Sequence, residues 1–182
     1  MRRLVTALAI AAVAAVAAVA AGCGQPDFVQ HLRYPLRYDQ IVRTHAKNYD
    51  LDPALLAAVI YTESRFNARA ESDAGAIGLM QLLPETARGI ALRTGGGAFV
   101  VADLYDPEIN IRYGAWYLRN LLRRYGDERT ALAAYHAGQG NVDRWRAQGV
   151  GIQFPETREY VSDVEHAKHV YADTYADELG LG

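Results

Sequence analysis

The chain has 182 residues, a formal net charge of −2 at pH 7 and one cysteine. If an N-terminal leader is set aside, about 160 residues remain, which is the size of one domain. Without Arg2 and Arg3, 17 basic residues stand against 21 acidic ones, a net charge of about −4. This balance argues against a nucleic-acid partner. A single cysteine excludes an internal disulfide, so stability must come from packing.

Residues 1–22 have the pattern of a bacterial signal peptide. Arg2 and Arg3 precede an apolar run from Leu4 to Ala21, and small residues lead up to Cys23. The ending Ala-Ala-Gly-Cys resembles the lipobox of bacterial lipoproteins, which implies that Cys23 is lipidated. Two alternatives remain open. The run is long enough to stay as a membrane helix, since roughly 17 to 25 residues span a bilayer, or the protein is secreted without a lipid.

A lipidated Cys23 predicts a protein of the cell envelope that faces the periplasm. Gly24 replaces the aspartate that often signals retention in the inner membrane, so the outer membrane is favoured. Residues 23–37 contain prolines and no clean period, and we expect a short lipidated tether there. Residues 38–182 are then the catalytic domain.

The mature chain shows helical periodicity. Asp52 and Asp106 each precede a proline, and Asp127 precedes a further periodic segment reaching Tyr135, so these aspartates predict helix starts. Apolar stripes follow, and the only doubtful strand is 99–101. The stripes comprise Leu56, Val59 and Ile60; Ile109, Tyr113, Trp116, Tyr117 and Leu121; and Tyr160, Val164, Ala167, Tyr171 and Tyr175.

Glu63 is the candidate general acid. It follows Val59 by four residues and Ile60 by three, so helical spacing places its carboxyl on the apolar face. Burial there disfavours the charged form and raises the pKa, as a proton donor near neutral pH requires. The alternative is a glutamate at a helix end in water.

Several blocks of sequence occur in a distinctive order. They are ESRFN at 63–67, Ser72, GAIGLMQ at 75–81, PETA at 84–87, AYHAGQGNV at 134–142 and PETREYV at 155–161. Together they resemble the soluble lytic transglycosylase family over about residues 38–175. The resemblance implies an all-α, goose-type-lysozyme-like (SLT) single helical domain without a cofactor or a metal.

The resemblance also implies roles for individual residues. Glu63 corresponds to the family's single catalytic acid. The implied substrate-binding residues are Ser72, Met80, Gln81, Tyr135, Glu156 and Tyr160. His136 departs from the family's usual asparagine, so the pH response of the site is expected to differ. Without the resemblance, Ser72 is explained as a turn residue, and Gln81 and Tyr135 as packing residues.

The implied activity is non-hydrolytic cleavage of the β-1,4 linkage between MurNAc and GlcNAc in peptidoglycan, which leaves 1,6-anhydroMurNAc ends. The implied partners are glycan strands and, through the lipid, a membrane. Two alternatives stay open: a goose-type-lysozyme-like hydrolase and a non-catalytic peptidoglycan-binding scaffold. A hydrolase of the usual kind needs a second carboxylate, for which the candidates are Glu71, Asp73, Asp103 and Glu156.

The segment with His166 and His169 beside Glu165 lacks the spacing of a zinc-protease motif. A solvated helix face is the better interpretation.

Overall fold

The computed structural model describes residues 27–181, and in that range the fold is all-α, as expected. The helices are α1 (Asp27–Arg33), α2 (Asp39–Asn48), α3 (Pro53–Ser64), α4 (Pro84–Thr94), α5 (Pro107–Tyr125), α6 (Glu128–Ala137), α7 (Gln139–Ala147), α8 (Pro155–Thr174) and α9 (Ala176–Leu179). A 3₁₀ helix covers Val101–Tyr105. No helix in the described range has the length and apolarity needed to cross a bilayer. Cys23 and the leader lie outside that range.

The predicted helix starts are confirmed by their caps. The carboxylates of Asp52, Asp106 and Asp127 accept backbone N–H groups in the first turns of α3, α5 and α6, at 2.8–3.1 Å. The proline after Asp52 or Asp106 occupies the first helical position, where no N–H is required. The helix predicted to reach Tyr135 continues to Ala137. The doubtful strand at 99–101 is wrong, because a 3₁₀ helix begins at Val101.

The segment 23–37, which we expect to be a short lipidated tether, contains a helix. Residues 27–33 form α1, and the contacts divide the chain between Arg33 and Tyr34. Tyr34 is buried in the core. The hydroxyl of Tyr175 donates to the carbonyl of Tyr34 at 2.9 Å, and that of Tyr171 donates to the carbonyl of Pro35 at 2.9 Å. The packed domain therefore begins at Tyr34, and its first residues are held by two tyrosines of the C-terminal region.

Helix α3 lies at the centre of the domain. Every residue from Ala54 to Tyr61 is buried, so α3 is apolar all round and not only along the predicted stripe. Such a helix must be enclosed by others, and α8 packs along it, with α2 on another side. Beyond this buried stretch, the last turn of α3, with Glu63, reaches the surface of the core.

Helix α5 separates two apolar clusters. Ile111, Ala115 and Leu118 face the main core around α3. Tyr113 faces a smaller cluster built on α4, the 3₁₀ helix and the loop before α4, with Ile109 and Trp116 beside it. The stripe predicted from the sequence mostly describes this second face. Of the buried residues on the face that carries the main core contact, the stripe included Leu121 but not Ile111, Ala115 or Leu118.

The loop at residues 65–83 joins α3 to α4 and packs on α5 through Met80, which is fully buried. A Cβ atom at Gly114 of α5 would lie 2.2 Å from the sulfur of Met80 and 2.8 Å from its Cβ. Only glycine permits this approach. Close contact of this kind fixes the loop on the helix, since packed interiors leave little room to adjust.

We predict that Gly114→Ala lowers the free energy of unfolding by at least about 1 kcal/mol, because the overpacking cost of ~1–3 kcal/mol exceeds the gain in helix propensity. The matched control is Gly140→Ala in α7, where an added Cβ meets nothing within 4 Å. That change should be neutral or stabilising by up to about 1 kcal/mol. Urea denaturation measures both. Equal effects of the two substitutions would contradict this account of the loop.

Candidate active site

Glu63 occupies the last turn of α3 and is half-buried. Burial raises the pKa of its carboxyl from 4.5 to about 7, and the nearby hydroxyl of Tyr160 lowers it by a smaller amount. The C-terminal end of a helix also disfavours an anion. The alternative of an ordinary glutamate in water is therefore not what the structure shows. Near neutral pH a substantial fraction of Glu63 carries a proton.

The loop that follows Glu63 has an unusual backbone. Arg65, Phe66 and Gln81 have positive φ angles of 49°, 60° and 46°, which non-glycine residues adopt rarely and bulky ones least of all. Burial of the Phe66 side chain holds this conformation. Ser64, the last residue of α3, donates from Oγ to the carbonyl of Leu79 at 2.8 Å. The helix end and the far part of the loop are thus joined directly.

Asn110 of α5 is the main polar support of the loop. It is fully buried. Its Oδ1 accepts the N–H of Met80 at 2.8 Å, and its Nδ2 donates to the carbonyls of Ile77 at 3.0 Å and Leu104 at 2.7 Å. Gly78 lies so close that a Cβ there would be 2.2 Å from Nδ2. One side chain therefore fixes the loop and the 3₁₀ helix together.

A cavity of about 450 Å³ opens between Glu63, the loop, α4, α5 and α6. Of the predicted site residues it contains Glu63, Ser72, Gln81 and Tyr135, and His136 also lines it. The remaining lining residues are Ala74, Ala76, Leu82, Leu83, Thr86, Tyr117, Ala137 and Gly138. Among the described residues that line it, Glu63 is the only carboxylate, and none is lysine or arginine. The cavity is therefore a largely neutral, partly aromatic space around one acid.

Ser72 and Gln81 shape the loop as well as lining the cavity. The Oγ of Ser72 accepts the N–H of Ala76 at 3.1 Å, which is the turn-forming role considered from the sequence. The Nε2 of Gln81 donates to the carbonyls of Gly78 at 2.9 Å and Ala70 at 3.2 Å. With its amide nitrogen occupied in this way, Gln81 keeps its Oε1 as the group free to accept from a ligand.

Tyr135 and Met80 form a second connection across the cavity. The hydroxyl of Tyr135 donates to the carbonyl of Met80 at 2.7 Å, and its ring lies 5.4 Å from that of Tyr117. Burial, and then the charge of Glu63, raise the pKa of Tyr135 well above 10.0, so this tyrosine stays neutral. Met80 itself does not line the cavity. Its side chain belongs to the core, and only its carbonyl supports the site.

Tyr160 of α8 lies beneath Glu63 and does not line the cavity. Its hydroxyl is buried and makes no hydrogen bond of normal geometry among the described residues, although it is close enough to Glu63 to influence the carboxyl. Burial and the neighbouring Glu63 raise the pKa of Tyr160 well above 10.0. A buried donor without a partner is costly, and Glu63 is the acceptor best placed to receive it when ionised.

His136 stands at the edge of the cavity, against α8. Its ring lies 4.6 Å from that of Tyr160, and its Nδ1 is 3.0 Å from Oγ1 of the buried Thr157. Burial on this side lowers the pKa of His136 below 6.5, and the charge of Glu156 opposes the shift. Glu156 is exposed and lies outside the cavity lining, so its connection to the site runs through His136.

Sequence reasoning missed Asn110, Thr157, Thr86 and the cavity face of Tyr117. A signal existed for Asn110, because it is the only polar residue at a core-facing position of α5. Tyr117 was recognised as part of a stripe but not as part of the site. Among residues 27–181, no group of three or more His, Cys, Asp or Glu side chains is placed to hold a metal ion.

Several curated proteins are similar to this chain. A transglycosylase of Enterobacteria phage PRD1 is 43% identical over 113 residues, covering 62% of this chain and 39% of the phage protein. The soluble lytic murein transglycosylase of Escherichia coli K12 is 33% identical over 144 residues, covering 72% of this chain and 22% of that protein. The membrane-bound lytic murein transglycosylase C of Haemophilus influenzae is 38% identical over 130 residues, covering 65% and 36%. The chain thus spans well under half the length of each.

Solved structures with this fold include two enzymes. An inactive Glu-to-Gln mutant of the lytic transglycosylase Slt from Pseudomonas aeruginosa superposes with a TM-score of 0.74 at 31% identity, covering 80% of this chain and 25% of that one. The complex of the 70-kDa soluble lytic transglycosylase with bulgecin A superposes with a TM-score of 0.76 at 30% identity, covering 84% of this chain and 27% of that one.

The family model for the transglycosylase SLT domain matches residues 40–151, which is more than half of the chain. The match contains Glu63, the loop that follows it, and the cavity residues of α4, α5 and α6. With the lysozyme-like helical fold of its structural neighbours, this chain belongs to the transglycosylase SLT domain family.

Proposed function

We propose that this protein is a lytic transglycosylase that cleaves the β-1,4 linkage between MurNAc and GlcNAc in peptidoglycan, with Glu63 as its only acid and base. The observation that carries the proposal is the Glu63 carboxyl, half-buried in the cavity with a pKa of about 7. Names of the similar proteins support the substrate class. A structural neighbour that is inactive as a Glu-to-Gln mutant supports the use of a glutamate.

In the first step, protonated Glu63 gives its proton to the glycosidic oxygen as the bond from C1 of MurNAc to that oxygen breaks. Positive charge develops at C1 and the ring oxygen. The new Glu63 carboxylate then faces this charge, and the nearby hydroxyl of Tyr160, which has no hydrogen-bond partner among the described residues, would donate to the carboxylate. A donor that acts only on the ionised form stabilises the state in which the proton has left.

In the second step, Glu63 acts as the base. The 6-hydroxyl of the same MurNAc attacks C1 and transfers its own proton to the Glu63 carboxylate while the 1,6-anhydro ring closes. No water is consumed, and Glu63 ends in its starting state. Tyr135, Gln81 and the aromatic wall at Tyr117 would hold the sugar so that the 6-hydroxyl is close to C1, where proximity accounts for much of the rate.

The second carboxylate of an ordinary hydrolase has no candidate in the cavity lining. Glu71 is exposed and accepts a hydrogen bond from Tyr105. Asp103 caps the 3₁₀ helix by accepting the N–H of Val100 at 2.9 Å. Asp73 and Glu156 are exposed outside the lining. Hydrolysis by two carboxylates is therefore less well supported than transglycosylation. A pure scaffold has no use for an acid whose burial costs stability.

We predict that Glu63→Gln abolishes cleavage of purified sacculi, with a rate loss of at least ~10²- to 10⁴-fold, because the amide cannot deliver a proton. Release of soluble muropeptides measures the rate of cleavage.

The stability of the variant is the control. The folded-state pKa of Glu63 lies above its ordinary value, so ionisation of Glu63 destabilises the wild-type protein as pH rises through about 7. The variant should therefore unfold at pH 8 at the same or a higher temperature. A variant that folds and cleaves at the wild-type rate would exclude Glu63.

Mass spectrometry of the same digests identifies the product. Transglycosylation should give muropeptides ending in 1,6-anhydroMurNAc, one water lighter than the hydrolytic product. Predominantly reducing MurNAc ends would show that water attacks C1, and the hydrolase alternative would replace the present proposal.

We predict that the cleavage rate has a bell-shaped dependence on pH. Glu63 causes the fall on the alkaline side, and His136 causes the fall on the acidic side. Above pH ~7 the rate should fall about tenfold per unit, because Glu63 loses the proton that it must donate. At an acidic pH, below the ordinary pKa of 6.5, His136 gains a positive charge in the cavity that Glu63 also lines, where positive charge develops on the sugar. Initial rates from pH 4 to 9 test this. His136→Asn should remove the acidic fall and keep the alkaline one, and an unchanged acidic side would contradict the role of His136.

We also propose that Cys23 is lipidated and attaches the protein to the periplasmic face of the envelope, in the outer membrane. A similar protein is named as membrane-bound. We predict that Cys23→Ala abolishes incorporation of a labelled fatty acid, because Cys23 is the only cysteine. The control is Glu63→Gln, which leaves Cys23 intact and should incorporate as much labelled fatty acid as the parent protein. Equal label in Cys23→Ala and the parent would refute the assignment.

A further inference from the structure

A second cavity lies next to the active site. It has a volume of about 850 Å³, and α4 and α5 form most of its walls. Thr86 and Tyr117 line both this cavity and the one around Glu63. A polymer that leaves the first cavity past these two residues therefore enters the second.

The two cavities differ in charge. The cavity around Glu63 contains no lysine or arginine among its described lining residues. The second contains Arg88, Arg93 and Arg124, and Glu85 is the single acid among its described lining residues. This cationic cluster stands on a protein whose formal net charge is −2, so it does not follow from the overall composition.

The arginines are held in different ways. Arg124 pairs with Asp143 at 2.7 Å. Arg93 folds back so that Nη1 donates to the carbonyl of Gly89 at 2.7 Å, and a Cβ at Gly89 would lie only 3.1 Å from that nitrogen. Glycine in a helix interior costs about 1 kcal/mol relative to alanine, and here it leaves space for the guanidinium.

Arg88 has no ion pair and no hydrogen bond within residues 27–181, and it is exposed to the cavity. Its donors are free to bind an anion, and arginine suits a carboxylate because its planar fork can bond both oxygens. Beside the arginines, the half-buried ring of Trp116 offers an apolar wall. The cavity therefore combines free cationic donors with a surface on which an organic chain can pack.

We propose that this cavity binds the carboxylates of the peptide stems that the glycan carries, and so favours peptide-bearing strands over bare ones. The inference rests on the proposed function for the identity of the polymer. Stem peptides leave the glycan at MurNAc and carry free carboxylates, so a stem on a sugar near Glu63 would reach a cavity that shares Thr86 and Tyr117 with the active site. Arg88 and Arg93 would bind the carboxylate, with Arg88 providing the unpaired donors.

The test measures binding, so that it does not depend on cleavage. Full-length protein carrying Glu63→Gln is purified in detergent and sedimented with intact sacculi, or with sacculi stripped of stems by an amidase. We expect the protein to bind intact sacculi about tenfold more tightly, because one partly solvated hydrogen bond between charged groups contributes about that much to affinity. Adding Arg88→Ala and Arg93→Ala should remove that preference, while Glu85→Gln should increase it because the repelling acid is lost.

The matched control is Arg37→Ala. Arg37 is exposed, has no ion pair among the described residues, and lines neither cavity. Arg37→Ala removes one positive charge, as Arg88→Ala alone does, and should leave the preference intact. No preference for intact sacculi would overturn the proposal, as would equal loss of binding to both substrates or an equal effect of Arg37→Ala. If the protein with Glu63 intact cleaves neither substrate, the proposed function fails while the binding result still stands.

Discussion

The position of one carboxyl at the end of a fully buried helix governs the rest of this structure. Helix α3 is enclosed on every side from Ala54 to Tyr61, and only its last turn reaches the cavity. Glu63 is therefore held at the boundary between the core and the cavity. Its carboxyl is kept partly dehydrated, which raises its pKa to about 7. The stability that this costs is supplied by the apolar helix that carries it.

In the proposed function a substrate must be held against Glu63, and the loop at 65–83 forms one wall of the cavity in which it would lie. The loop contains three non-glycine residues with positive φ, each of which costs on the order of 1–3 kcal/mol. Such a backbone persists because other contacts determine it. Asn110 holds the loop from α5, Ser64 holds it from α3, and Tyr135 holds it from α6. Contacts from three helices thus stabilise one conformation of the loop.

These supports explain what could and could not be predicted from the sequence. Helix starts at Asp52, Asp106 and Asp127 were predictable because a cap is a local interaction, made within three residues of the chain. The candidate acid at Glu63 was also found from local spacing, and the motif blocks led to the family. Helices α2, α4 and α7 begin without a side-chain cap, so no capping residue marks their starts in the sequence.

Long-range contacts account for what was missed. Tyr34 lies in the segment expected to be a tether, but its carbonyl accepts a hydrogen bond from Tyr175, 141 positions away. Asn110 contacts the loop about 30 residues earlier. Periodicity on α5 identified one apolar face, while the helix packs on both sides. Met80 belongs to a motif block and yet lies in the core, because a motif records that a residue matters without recording whether it contacts the ligand.

The separation of charge between the two cavities suits the protonated Glu63 that the proposed function requires. An arginine close to Glu63 would favour its ionised form and lower its pKa. The groups that shift the pKa of Glu63 include no cation, and no lysine or arginine is among the described residues lining its cavity. The arginines lie beyond Thr86 and Tyr117, next to solvent that screens them. A protein that must bind an anionic polymer and also keep a carboxyl protonated can do both by placing its cations one cavity away from the acid.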